Sequence, residues 1–232
     1  VLSGIVAVFH KQVVSHNTER LMVAMQQNVR AAASFMERDI RMARYDPRGF
    51  SGAAIQTADR GQLSYQTDLN ENGAIDPVET ITYAMVDDDG VICDADGNGI
   101  ADGIPCNLGR DSGVGFQIVA RGIDALNFDY LDANGDSILN RAATPWQVPA
   151  GQIVNIQSIR VSIVARAGDT IPITLNRITD TTVYRNRPRD TDGDGNPDTA
   201  DIILNMPSNP VPVPRHNQFR RMQITTEIDC RN

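Results

Sequence analysis

From His10 to Tyr45 the chain runs without Pro or Gly, and Val14, Leu21, Met25, Val29, Ala32, Met36, Ile40 and Ala43 recur at steps of three or four residues, with one gap of seven. That spacing puts them on one face of a helix. Glu19, Arg20, Gln26, Arg30, Glu37, Arg41 and Arg44 fall on the other face, so one stripe packs and the other is solvated. Pro47 and Gly49 are expected to end the helix. The apolar opening Val1 to Phe9 continues the same element. Together they predict a helix of about 45 residues, far beyond the mean of roughly 11 to 12 for globular proteins.

After Gly52 the period changes to two. Leu126, Phe128 and Tyr130 alternate with Asn127 and Asp129, and Ile159, Val161, Ile163 and Ala165 alternate with Arg160, Ser162, Val164 and Arg166. These segments predict half-buried antiparallel strands. Weaker strand signals cover Leu63 to Gln66, Ile81 to Val86, Phe116 to Ala120, Ile171 to Leu175 and Met222 to Ile228. Asn205 to Arg215, with Pro207, Pro210, Pro212 and Pro214, is expected to be an extended, unpaired connection. The fold class is therefore α+β: a long N-terminal α-helix, residues 1–49, packed on an antiparallel β-sheet head, residues 50–232.

Composition places the chain among globular proteins, with 41% hydrophobic and 22% charged residues over 232 positions. The net charge of -8 argues against a nucleic-acid partner, whose phosphates need a basic face. The charge is also uneven. Between Asp68 and Gly109 there is no Lys or Arg, while Asp68, Glu71, Asp76, Glu79, Asp87, Asp88, Asp89, Asp94, Asp96 and Asp102 are all acidic. Such a block repels itself unless something neutralises it, and a bound cation is the expected agent.

The spacing within the acidic loops points to calcium. Asp68, Asn70, Asn72, the carbonyl of Ala74, Asp76 and Glu79 occupy every diagnostic position of a twelve-residue calcium loop, with Gly73 at the sharp turn. Asp190, Asp192, Asp194, Asn196, Asp198 and Asp201 repeat the pattern, Asp201 standing where the final Glu would be. A third copy, Asp94, Asp96, Asn98, Ile100 and Asp102, has Pro105 at the twelfth position. A fourth and weakest copy is Asp132, Asn134, Asp136, Ile138 and Asn140, with Ser137 in place of the turn glycine. Plain turns also use Asp, Asn and Gly, but they need such residues at one or two positions rather than at alternate positions throughout. Two or more calcium ions are expected, in a stabilising rather than a sensing role, because the flanking segments are not a helix pair.

Cys93, Cys106 and Cys230 contain no C-x-x-C pair. Bridging Cys93 to Cys106 closes a short acidic ring, worth about 3 kcal/mol on the chain-entropy picture, and implies an oxidising compartment. Cys230 is then either free or a replacement for one of the other two, since three cysteines allow three pairings. The opening run Val1 to Phe9 gives about 13.5 Å of helix, under half of a hydrocarbon core of roughly 30 Å. It is expected to be the end of a longer apolar helix.

Met25-Gln26-Gln27-Asn28-Val29-Arg30-Ala31-Ala32, Met36-Glu37-Arg38-Asp39-Ile40-Arg41-Met42-Ala43 and Tyr45-Asp46-Pro47-Arg48-Gly49 resemble the helix of PilW-type minor pilins of type IV pili. Ser3-Gly4-Ile5-Val6-Ala7-Val8-Phe9 looks like the end of that family's membrane anchor. The resemblance covers about the first 50 residues closely, and also the Asp68 to Tyr83 region and the closing Arg231-Asn232. It implies a type IV pilin-like fold and a protein held in the bacterial inner membrane, facing the periplasm, until it joins an extracellular pilus. Its partners would be other minor and major pilins through the N-terminal helix, and a tip adhesin. Type II secretion pseudopilins of the GspJ class share this plan and are the alternative, followed by a free-standing calcium-dependent adhesin.

Enzyme activity is not expected. His10, His16 and His216 are the only histidines, the first two do not share a helix face, and no G-x-S-x-G, H-E-x-x-H or phosphate loop occurs. The carboxylates that might form an acid and base pair sit in the metal-like loops.

Overall fold

The computed structural model describes residues 2–102, 106–168, 182–185, 202–205 and 220–230. Helix α1 spans Leu2–Ile40. Met25, Val29, Ala32, Met36 and Ile40 are buried along one side, as their spacing requires, and Ala43 continues the line beyond the helix. Leu21, expected on the same stripe, is exposed. The helix stops before Pro47. Met42 and Ala43 donate to the carbonyls three residues back, and Arg44 adopts a left-handed φ of 63° with its N–H on the Gln66 carbonyl. The left-handed residue and the tightened last turn end the helix, so the proline only follows an ending already made.

Three antiparallel sheets follow. The first runs β1 (Ile55–Ala58), β2 (Leu63–Gln66), β3 (Thr80–Val86), β4 (Asn107–Asp111) and β5 (Gln117–Arg121) in sequential order. The second places β7 (Ser158–Arg166) between β6 (Ile123–Leu131) and β10 (Arg221–Asp229), and a two-stranded ribbon joins β8 (Val183–Arg185) to β9 (Ile202–Asn205). Helix α1 packs against β5 of the first sheet and against β7 and β10 of the second, so one core holds helix and both sheets together. Asn205 ends β9 opposite Val183 instead of opening an unpaired connection. The rest of the 205–215 stretch and the Ile171 to Leu175 strand lie outside the described residues.

The period-two strands are not half-buried. Every residue of β6 and all but Arg160 of β7 are buried. The alternation separates an apolar face from a polar one, and the polar face is covered as well. Asp124 is clamped there by Arg166 (Nη1 to Oδ1, 2.6 Å) and by Arg221 (Nε to Oδ2, 2.7 Å), all three side chains having no exposure. Arg160 joins Asp129 to Glu227, and Ser162 shares a hydrogen bond with Thr225. Buried polar groups persist because they are paired.

Two polar ties fix the lower end of α1. Asp39 accepts hydrogen bonds from Tyr83 on β3 (2.9 Å) and from Arg110 on β4 (2.6 Å). Arg44 donates to the carbonyls of Ile153 (3.0 Å) and Ile156 (2.7 Å), and burial lowers its pKa. Both ties join the helix end to the head rather than to solvent.

Candidate metal centre

Cys93 and Cys106 are joined in a disulfide with their Cα atoms 6.4 Å apart, and Cys230 is a buried free thiol. The bridge closes the base of the Asp94 to Asp102 loop, where Asp102 N–H also donates to the Cys93 carbonyl. The loop lies on two remote segments. Gly61, in the turn between β1 and β2, sits so close that a Cβ there would be 2.2 Å from Asp94 Oδ2. On the other side Leu126 N–H donates to the Gly99 carbonyl and Ala101 N–H to the Asp124 carbonyl, tying the loop to β6.

This seating brings Asp94, Asp96 and Asp102 together, with one oxygen of each within 4.8 Å of the others; they are the one such acidic group among the described residues. Asp96 and Asp102 are exposed, and Asp94 keeps only 6% of its surface. Asp94 Oδ2 accepts the Gly99 N–H at 2.9 Å, while Oδ1 is buried without a hydrogen-bond partner. Burial pushes the Asp94 carboxyl up to about 7, with Asp96 and Asp102 adding to the rise against the lowering by Gly99. Asp96 accepts from the Asn98 N–H (3.1 Å) and side-chain amide (2.8 Å), and Asp102 from the Ala95 N–H (2.7 Å). Asn98 Oδ1 accepts the Ile100 N–H at 2.7 Å. A cavity of about 370 Å³ opens alongside, lined by Asp59, Gln62, Asp94 and Asp96 among others. Arg60 stands next to this region, stacked 4.5 Å over Trp146, its pKa lowered to about 10 by burial.

No family model and no curated protein matches the sequence. Among solved structures the chain is similar to a type IV-like pilin from Thermus thermophilus, with 10% identity over 89% of this chain and 97% of that one, at a TM-score of 0.46.

The other acidic loops differ from the Asp94 loop. In the first, Asp68 and Glu79 are buried, but their oxygens accept backbone N–H groups of the loop itself: Asn72 and Gly73 on Asp68, and Leu69, Asn70 and Asp76 on Glu79. The amides of Asn70 and Asn72 donate to Asp76, and Asn72 Oδ1 accepts the Ala74 N–H. This loop satisfies its carboxylates as a turn does, and an ion there would have to displace the asparagine amides from Asp76. In the fourth loop Asp132 accepts from the N–H groups of Asn134 (2.8 Å) and Asp136 (3.0 Å), which lower its pKa. Ile138 pairs back to Tyr130, and Asn140 Oδ1 accepts from Ala142. Asp190, Asp192, Asp194, Asn196, Asp198 and Asp201 lie outside the described residues. Sequence spacing reached Asp94, Asp96 and Asp102; nothing in it marked Gly61 or β6 as the walls that bury Asp94.

Proposed function

We propose that this chain is a subunit of an extracellular filament, a minor pilin of the PilW type, that assembles by packing the start of α1 against the helices of other pilins, with calcium in the acidic loops of its head. The observation that supports it is the state of α1 itself. Met25 is its first buried side chain among those described, whereas Ile5, Val6, Phe9, Val13, Leu21 and Val23 are exposed, Phe9 at 68%. From Ile5 to Met25 is about 30 Å of helix at roughly 1.5 Å per residue. Exposed apolar side chains spread over that length of helix are a surface for partners, as in helix packing generally. The sequence resemblance over the same residues names the partner class. No helix among the described residues is long and apolar enough to cross a membrane.

The test is to replace Phe9 and Val13 together by Asp in the producing cell. Filament assembly is expected to fail while the head melts at the unaltered temperature. Unchanged assembly would count against the packing role.

A further inference from the structure

We infer that Asp94, Asp96 and Asp102 bind one divalent cation, calcium by the chemistry of the donors, and that this ion fastens the first sheet to the second across the disulfide-closed loop. The inference rests on the calcium part of the proposed function and is independent of filament packing.

Three observations converge. The first is the gathering of three carboxylates within 4.8 Å on a loop of nine residues, more negative charge than the neighbouring Arg60 alone balances. The second is the unsatisfied Oδ1 of Asp94, buried in that group. A carboxylate oxygen taken from water without a donor is costly, and a hydrogen-bonding partner or a cation removes the cost. The third is the close fit around it: Gly61 makes room for Asp94, since even a methyl there would strike its Oδ2, and the Gly99 N–H holds that oxygen at 2.9 Å, so the carboxylate is fixed within the group.

The donor set consists of oxygens, which suits a hard cation, and its exposed members leave room for water. Magnesium requires a tight octahedron and usually keeps several waters behind one or two carboxylates, so three carboxylates gathered on one loop favour calcium. The loop touches the first sheet at Gly61 and the second at Leu126 and Asp124, so an ion that orders it joins the two.

Calcium binding to the full chain is measured by equilibrium dialysis and calorimetry, beside Asp94→Asn and Asp102→Asn. Asp94→Asn keeps an oxygen for the Gly99 N–H, and Asp102 is exposed, so both variants fold. Each is expected to lose one ion per chain and the calcium-induced rise in melting temperature that goes with it. In chelator, Asp94→Asn is expected to melt higher than the parent chain, since a buried anion has been removed; a merely structural role for Asp94 would lower it. Calcium is also expected to slow amide exchange at Ala101 and Leu126, with magnesium failing to do so. Uptake unchanged in both variants would overturn the site while leaving calcium in other loops. No calcium uptake by the parent chain would overturn the site and the calcium part of the proposed function together, and leave filament packing standing.

Discussion

Asp124 shows how a single residue holds the second sheet. It accepts from both Arg166 and Arg221, and none of the three side chains reaches solvent. Asp124→Ala removes one partner of a buried ion pair, which costs about 3–5 kcal/mol. Urea unfolding of that variant checks the figure. Cys230 makes a second prediction. Burial pushes its thiol up to about 11, above the ordinary 9, so the folded state favours the protonated form. That contribution is complete below the unfolded value and is lost as pH rises through the folded one. Stability should therefore fall between about pH 9 and 11, and Cys230→Ala should remove that part of the alkaline loss. The same burial predicts slow alkylation of Cys230 in the native protein at pH 8 and fast alkylation in denaturant. Neither effect was legible from the residue's neighbours in sequence, because the surroundings come from Gln157 and Arg44, far along the chain.

At the scale of elements, what could be read depended on whether the packing was local. The α1 stripe was legible from Met25 to Ala43 because helical spacing alone decides which side chains share a face. Its upper part was misleading: Leu21 has the right spacing but stays exposed, with only the edge of the head at Gly168 beside it. Strands β6 and β7 were legible as strands and wrong in burial, since their polar residues meet partners on β10 that spacing cannot show. Strand β4 gave almost no signal. Its Gly109 stands where a Cβ would be 2.6 Å from Val86 Cγ2, so the strand is chosen by a close approach and not by its own pattern. The acidic spacing was legible in all four loops, and turn hydrogen bonds run through each of the three described; the buried, unpartnered Oδ1 of Asp94, behind Gly61 and β6, sets one apart. The two halves of α1 should respond differently to truncation. Met36→Ala or Ile40→Ala is expected to cost about 2–5 kcal/mol, as for buried apolar residues elsewhere. Ile5→Ala or Phe9→Ala should change the unfolding free energy by under about 0.5 kcal/mol, as exposed sites do. Denaturant titration of the four variants separates the halves.

For the whole molecule, the described part of the head is a packed unit that takes in the second half of α1 and not the first. The core takes helix residues from Met25 onward, both sheets close over it, and Asp39 and Arg44 lock the helix end. Among the described residues, Ile5, Val6, Phe9, Val13, Leu21 and Val23 stay exposed outside that core. Filament packing gives them a role, and the first acidic loop lies at the other end of the helix, where Asp68 N–H donates to the Tyr45 carbonyl and the Tyr45 hydroxyl to Glu71. The most direct measurement is to place a photoreactive side chain at Phe9, Val13 or Leu21, and at Val154 on the head, and to irradiate assembled filaments. Crosslinks to pilin helices from the three helix positions, and none from Val154, are the predicted result. Helix positions that give no crosslink to any pilin in intact filaments would contradict the account.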